Sequence, residues 1–406
     1  MASEAFHYDR LSAQDATFLD LEGPSAPQHV AATLVLRSGS LRTPEGGIDI
    51  DRIRAYVASR LHAIPRYRQR LAYVPLERHP VWVDDEHFSI EFHVRHTALP
   101  QPGDRRQLKR LSGRILSQRL DRARPLWELW VVEGLEGGER FAIVQKTHHS
   151  MIDGISGVDL INVLLRGAPF EGIEAAPDWE PRPAPSAGAL ALAELRRRAA
   201  DLAGLAAQGP SVLRAPGRFL ASVTEGAQAV AETLSAGFTS ASHTPLNHPL
   251  GMHRSFDWLD MKLADVKAVK DRLGGTVNDV VLATVAGALR SFLAARRVDV
   301  DRLHIRANVP VSVRAAEERG QLGNRIALWM TELPVSERDP VRRLERVRET
   351  TERLKASKQA LGVALFSYAG SLFWGFTADP ELVPDLASFP AFVQAAFSEL
   401  AHAAAE

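Results

Sequence analysis

The stretch FAIVQKTHHSMIDGISGVDLINVLL, Phe141 to Leu165, constrains the fold more than any other part of the chain. Phe141, Ala142, Ile143 and Val144 make a short apolar run that reads as a buried strand. The run ends in His148 and His149, and Asp153 and Gly154 then break the chain. Ile155, Val158, Ile161 and Leu165 recur at helical spacing, which predicts an amphipathic helix starting just beyond Gly154. The two histidines therefore stand at a strand-to-helix corner.

Such a corner exposes reactive groups, because the strand fixes position while the helix offers free amide donors and a positive dipole end. An imidazole there tends to stay neutral, and near pH 7 it accepts a proton from an alcohol or a thiol. Adjacent strand residues point to opposite faces, so one histidine is expected to serve chemistry while the other packs or holds the loop. A purely structural pair is an open alternative, and so is a metal site. His149 and Asp153 are four apart, but there is no HExxH pattern, no cysteine and no evident third ligand.

At 406 residues the chain exceeds the size at which one core keeps growing, so two domains are expected. Its 49 basic and 49 acidic residues cancel, which leaves no net field to draw it to nucleic acid. With no cysteine, disulfides, zinc ribbons and a cysteine nucleophile are excluded, and serine, histidine or carboxylate groups must do the chemistry. A reducing, cytoplasmic setting fits this. The N-terminus carries charge from Glu4 onward and builds no secretory core, so it is expected to be retained. No eighteen apolar residues run together, so no spanning helix is expected, while peripheral attachment to a membrane stays open.

Helices are predicted over Leu11–Leu21, with Ser12 as cap, and over Ile50–Leu61, with Pro65 as a stop. Strands are predicted over His29–Leu36, Val81–Asp84 and Phe88–Arg95. Arg105–Leu120 reads as a basic helix over an apolar stripe, its outer face solvated. The Trp- and Val-rich run Arg124–Gly134 forms a hairpin with the histidine strand. Phe170–Thr244 shifts to alanine, proline and arginine and reads as a crossover, with helices over Ala187–Leu205 and Phe219–Leu234. Arg196–Arg198 beside leucines form either an ordinary exposed face or a lipid contact.

In the second half, a strand over Phe256–Met261 and a helix over Leu263–Leu273, closed by Gly274 and Gly275, come first. Thr276 and Asp279 then have the form of a capping box opening another helix, which leaves Asn278 and Asp279 divided between capping and chemistry. Strands over Leu303–Val311 and Ile326–Leu333 and a helix over Pro340–Lys358 complete an α/β pattern.

These residues resemble the bacterial wax ester synthase/diacylglycerol acyltransferase family, part of the coenzyme A-dependent acyltransferases that share an HHxxxDG motif. Here the motif is HHSMIDG, His148 to Gly154. LSAQDATFLDLE near the N-terminus, PLWELW at Pro125–Trp130, PLN at Pro245–Asn247, Asn278–Asp279, and NVPVSVR to GNR at Asn308–Arg325 follow in the family's order.

The resemblance implies an α/β (α+β) fold of two chloramphenicol acetyltransferase-like domains forming a pseudo-dimer with a tunnel between them. The domains would be 1–170 and 245–406, joined by the crossover 171–244. It implies His149 as general base, His148 as its supporting member, Asp153 as a structural residue that keeps the corner in shape, and Gly154 as room for substrate. Asn278, with Asp279 beside it, would support the active site or the oxyanion. No cofactor is expected to be bound and no metal; acyl-CoA is the expected co-substrate. Diacylglycerol or a long-chain alcohol is the expected acceptor, with peripheral contact to a membrane or lipid droplet left open. In one respect the chain departs from the family. Leu361–Phe366 runs almost directly into Ser367, where several dozen family residues are expected near 366–367, so a catalytically impaired lipid-binding protein is the alternative reading.

Overall fold

The computed structural model describes residues 6–151, 172–175, 177–214, 242, 244–312, 326–351 and 361–405. The chain divides into two compact units, Met1–Pro216 with Glu318–Asn324, and Gly217–Glu317 with Arg325–Glu406. The division falls inside the expected crossover.

Unit one contains, in chain order, β1 (Asp9–Arg10), α1 (Ala13–Leu21), β2 (His29–Arg37), α2 (Ile50–Arg60), β3 (Gln69–Tyr73), β4 (Pro80–Asp84), α3 (Ile90–His93), β5 (Val94–Ala98), α4 (Arg105–Ser117), β6 (Trp127–Leu135), β7 (Arg140–His148) and α5 (Ala187–Arg214). Local signals set the helix starts. The Ser12 hydroxyl accepts the Asp15 amide at 3.1 Å, Asp49 accepts the Arg52 amide at 2.9 Å, and Asp104 and Gln107 close a reciprocal capping box on α4. Each satisfies amides that a helix start leaves without partners.

The main sheet has the order β2-β7-β6-β5, with β5 parallel to β6 and the other pairs antiparallel. The histidine strand β7 is therefore interior, and its residues Phe141 to His148 are all buried. The hairpin of β6 and β7 forms as expected. The reading of Phe88–Arg95 as one strand does not hold: α3 occupies Ile90–His93 and the strand begins only at Val94. The cause is Ser89, whose hydroxyl accepts the Phe92 amide and opens a helical turn that outweighs the strand preference of its apolar neighbours.

The start of the crossover is pinned to unit one. Arg182 donates to both carboxylate oxygens of Asp84 at 2.8 and 2.9 Å, and Leu190 of α5 packs on Val74, Val81 and Val83. Glu194 accepts hydrogen bonds from Tyr8 and Arg10. The expected helices from Ile155 and over Phe219–Leu234 lie outside the described residues, as does the stretch of the Pro340 helix beyond Thr351.

Unit two contains β8 (Ser255–Lys262), α6 (Leu263–Leu273), α7 (Val277–Ala294), β9 (Ile305–Ser312), β10 (Ile326–Leu333), α8 (Pro340–Thr351), β11 (Leu361–Tyr368), β12 (Ser371–Ala378) and α9 (Phe389–Ala403). β12 pairs antiparallel with both β8 and β11, and β9 pairs with β10. Among the described residues α7 is long and apolar enough to cross a membrane, although no such stretch was expected. It is instead the core helix of this unit: Val280, Ala286, Ala288, Phe292 and Leu293 pack with Trp374 and Phe376 of β12 and Phe389 and Val393 of α9. Phe366 and Ser367, where the missing block is expected, lie within β11. The β11–β12 turn is made at Ala369 and Gly370, both at positive φ.

Candidate active site

β7 ends at His148, and a single 3-10 turn, His149–Met151, follows it. The strand-to-corner geometry is as expected, and the two histidines are placed differently. His148 is fully buried, whereas His149 is partly exposed.

The buried ring is engaged through Nδ1. The Ser150 amide donates to His148 Nδ1 at 3.1 Å, and the Ser150 hydroxyl lies 2.7 Å from the same nitrogen. An amide can only donate, so Nδ1 is an acceptor and the neutral ring carries its proton on Nε2. Burial, with Arg122 and His149 nearby, lowers the His148 pKa to about 3. Neighbouring residues hold the strand behind it. His29, paired with His148 across the β2–β7 ladder, places Nε2 2.8 Å from the Leu116 carbonyl, and burial lowers its pKa to about 4. Lys146 Nζ donates to the carbonyls of Ile115 and Gln118 at the end of α4, and lies 3.5 Å from Glu128. This cation satisfies carbonyls at a helix C-terminus.

The PLWELW segment is explained by the same packing. Trp127 donates its indole N–H to the Tyr67 carbonyl at 2.8 Å, and the Tyr67 hydroxyl lies 3.3 Å from that of Thr147. Glu128 accepts the Trp130 indole and pairs with Arg95 at 3.3 Å. Pro125–Trp130 thus buttresses the histidine strand and does not line it with reactive groups. PLN is a turn motif: Asn247 Oδ1 accepts both the amide and the hydroxyl of Thr244.

His149 continues past the strand, its amide donating to the Gln28 carbonyl at 3.0 Å. Its ring stacks on Phe18 of α1, with centroids 4.8 Å apart and planes inclined by 16°. Burial lowers its pKa from the ordinary imidazole value, so it too is neutral near pH 7. A neutral, positioned and partly exposed imidazole is what abstraction of a hydroxyl proton requires.

Asp153 and Gly154 lie outside the described residues. Among the described residues no group of three metal-ligating side chains forms. Asn278 and Asp279 belong to unit two, in the first turn of α7. Asp279 completes the capping box, its carboxylate accepting the Thr276 amide and hydroxyl at 2.8 Å each, while the Asn278 side chain is exposed. Thr276→Ala should therefore lower stability by about 1 kcal/mol, read as a drop in thermal midpoint. Asn278→Ala should leave that midpoint unchanged, and an equal drop would contradict the division between them.

One site residue escaped the sequence reading. Glu22, the residue that ends α1, has a side chain 2% exposed, with Oε1 3.6 Å from His148 Nε2. Arg122 holds its other oxygen through Nε at 3.1 Å and Nη2 at 3.0 Å. Its place at the end of LSAQDATFLDLE was the available signal.

The family model for the wax ester synthase/diacylglycerol acyltransferase catalytic domain matches residues 11–281, and that for the C-terminal domain matches 322–362 and 356–401. A relative from Mycobacterium tuberculosis (strain CDC 1551 / Oshkosh), named for diacylglycerol O-acyltransferase activity, is 36% identical over 380 residues, covering 90% of this chain and 72% of its own length. The structure of the wax ester synthase/diacylglycerol acyltransferase from Marinobacter aquaeolei VT8 is similar, with a TM-score of 0.67 at 21% identity, over 98% of this chain and 100% of that one. The first condensation domain of the calcium-dependent antibiotic synthetase shares the fold, with a TM-score of 0.57 at 15% identity over 97% of each chain. The chain belongs to the wax ester synthase/diacylglycerol acyltransferase family.

Proposed function

We propose that this protein transfers a long-chain acyl group from coenzyme A to the hydroxyl of diacylglycerol or a fatty alcohol, with His149 as general base. The observation that carries the assignment is the contrast between the histidines: His148 is sealed in the sheet, and His149 is neutral and partly exposed. In the reaction, His149 takes the hydroxyl proton as the alcohol oxygen attacks the thioester carbonyl. The tetrahedral intermediate collapses with cleavage of the C–S bond, and the imidazolium returns the proton to the leaving thiolate. Ester and free coenzyme A are the products, and no covalent acyl-enzyme is needed. Asn278 is the proposed donor to the oxyanion, a role in which one hydrogen bond can contribute several kcal/mol. Asp153 is the proposed support of the corner and Gly154 the proposed clearance for substrate. With such acceptors, the cytoplasmic surface of a membrane or lipid droplet is the proposed working place.

The test is thiol release from a long-chain acyl-CoA, measured with diacylglycerol and with a fatty alcohol and confirmed by isolating the ester. Turnover with at least one acceptor is the expected result. A specific observation favours a second reading, an impaired lipid-binding protein. The C-terminal family model matches in two segments that share residues 356–362, and Phe373 and Tyr368 of the adjoining hairpin are exposed. Saturable acyl-chain binding with no thiol release from either acceptor would favour it and defeat the acyltransferase.

A further inference from the structure

The last turn of α1 addresses both histidines. Phe18 and Glu22 are four residues apart, so they lie on one side of the helix end. Phe18 stacks on the His149 ring, and Glu22 faces His148. Glu22 is fixed from two further directions: Arg122 grips Oε2 and also donates to the Leu19 carbonyl at 2.6 Å, and the Gln28 amide lies 3.3 Å from Oε1. Gln28 in turn accepts the His149 amide. On the other side of the buried ring, Nδ1 takes the Ser150 amide and so closes the turn that carries His149. Among the described residues His148 Nε2 is buried without a hydrogen-bond partner, and the Glu22 carboxylate is the anion it faces. A buried N–H left without a hydrogen bond costs about 1–3 kcal/mol, so the arrangement needs a reason.

We propose that Glu22, held by Arg122, is a positioning residue that keeps the proton of His148 on Nε2, so that Nδ1 stays free to bind the Ser150 amide and hold His149 in place. The inference rests on His149 being the base. Its chemistry is electrostatic: a carboxylate beside Nε2 favours the tautomer with hydrogen on that atom, and the opposite tautomer would set an N–H against the Ser150 N–H. Among the described residues, other charged or titratable groups around this ring are Arg122 from the segment after α4, His29 on β2, Lys146 on β7, and His149 itself. None of them offers an anion to Nε2.

The test separates positioning from stability. Glu22→Gln removes the carboxylate charge and leaves the partly exposed Arg122 without its anion; Glu22→Leu combined with Arg122→Met removes both charges together, a replacement that usually preserves folding. The readouts are kcat and KM for thiol release, and nitrogen NMR of the intact protein labelled at histidine, with the His148 signal identified by its loss in His148→Gln. The expected result in both variants is a mixed His148 tautomer and a kcat lowered roughly tenfold, with KM for acyl-CoA unchanged. A single Nε2–H tautomer retained in the double variant would overturn the proposal, whatever the rate. The NMR measurement needs no turnover, so a protein inactive on every acceptor would defeat the proposed reaction while this question is still decided.

Discussion

His149→Ala is expected to lower kcat for acyl transfer by about 10²–10⁴-fold while moving the thermal midpoint little. The rate falls because no described side chain beside it replaces the base: His148 is sealed behind the strand, and its accepting nitrogen is committed to Ser150. Stability changes little because the His149 ring is partly exposed and its main described contact is one face of Phe18. His148→Ala should do the reverse in emphasis. It removes the acceptor for a buried amide, at about 1–3 kcal/mol, and opens a cavity beside Glu22. The pair of variants therefore separates base from support, with thiol release and thermal unfolding as the measurements. A His149→Ala protein with parental turnover would remove His149 from the mechanism. The lowered pKa of His149 adds a pH expectation. The base stays neutral below the ordinary imidazole value of about 6.5, so the acidic limb of kcat/KM should lie below that pH.

The second large effect is a loss of stability in mild acid, centred on unit one. His93 is buried between Phe88 and Trp127, with ring centroids 5.2 and 4.5 Å away, and burial lowers its pKa to about 4. His148 stands at about 3 and His29 at about 4, in each case chiefly through burial. Above pH 6.5 these rings are neutral in both folded and unfolded chains and contribute no pH dependence. As the pH falls below that value, the unfolded chain binds protons that the folded chain refuses, so stability drops until each folded pKa is reached. His93 alone should account for about 3 kcal/mol across this window, against a typical total of 5–15 kcal/mol. Urea midpoints at pH 7, 5.5 and 4.5 should fall progressively. His93→Gln, whose amide can still donate to the Trp127 carbonyl that His93 Nδ1 contacts at 2.8 Å, should flatten part of that slope. An unchanged slope in this variant would rule His93 out as a source.

Most elements were legible because their signals are local. Ser12, Asp49 and Asp104 act on amides within one turn of themselves, and the capping form of Thr276 and Asp279 is what the structure contains. The strand reading of Phe88–Arg95 failed for a local reason too: a cap at Ser89 competes with apolar alternation over a span too short for the alternation to win. The apolar helix Val277–Ala294 shows the limit of composition, since the same residues suit a core and a membrane, and only their packing against β12 and α9 decides.

The candidate site divides in the same way. By itself the sequence determined that two histidines end a buried strand, that the chain falls into two α/β halves, and that its motifs follow the order of one acyltransferase family, because periodicity, capping and motif spacing are properties of neighbouring residues. Tertiary structure alone decided which histidine is accessible, that PLWELW is a buttress, and that Glu22 and Arg122 stand behind His148. Those facts depend on α1, β2, β7 and the segment after α4 meeting in space, and burial, ion pairing and tautomer are fixed by neighbours that sequence distance does not reveal.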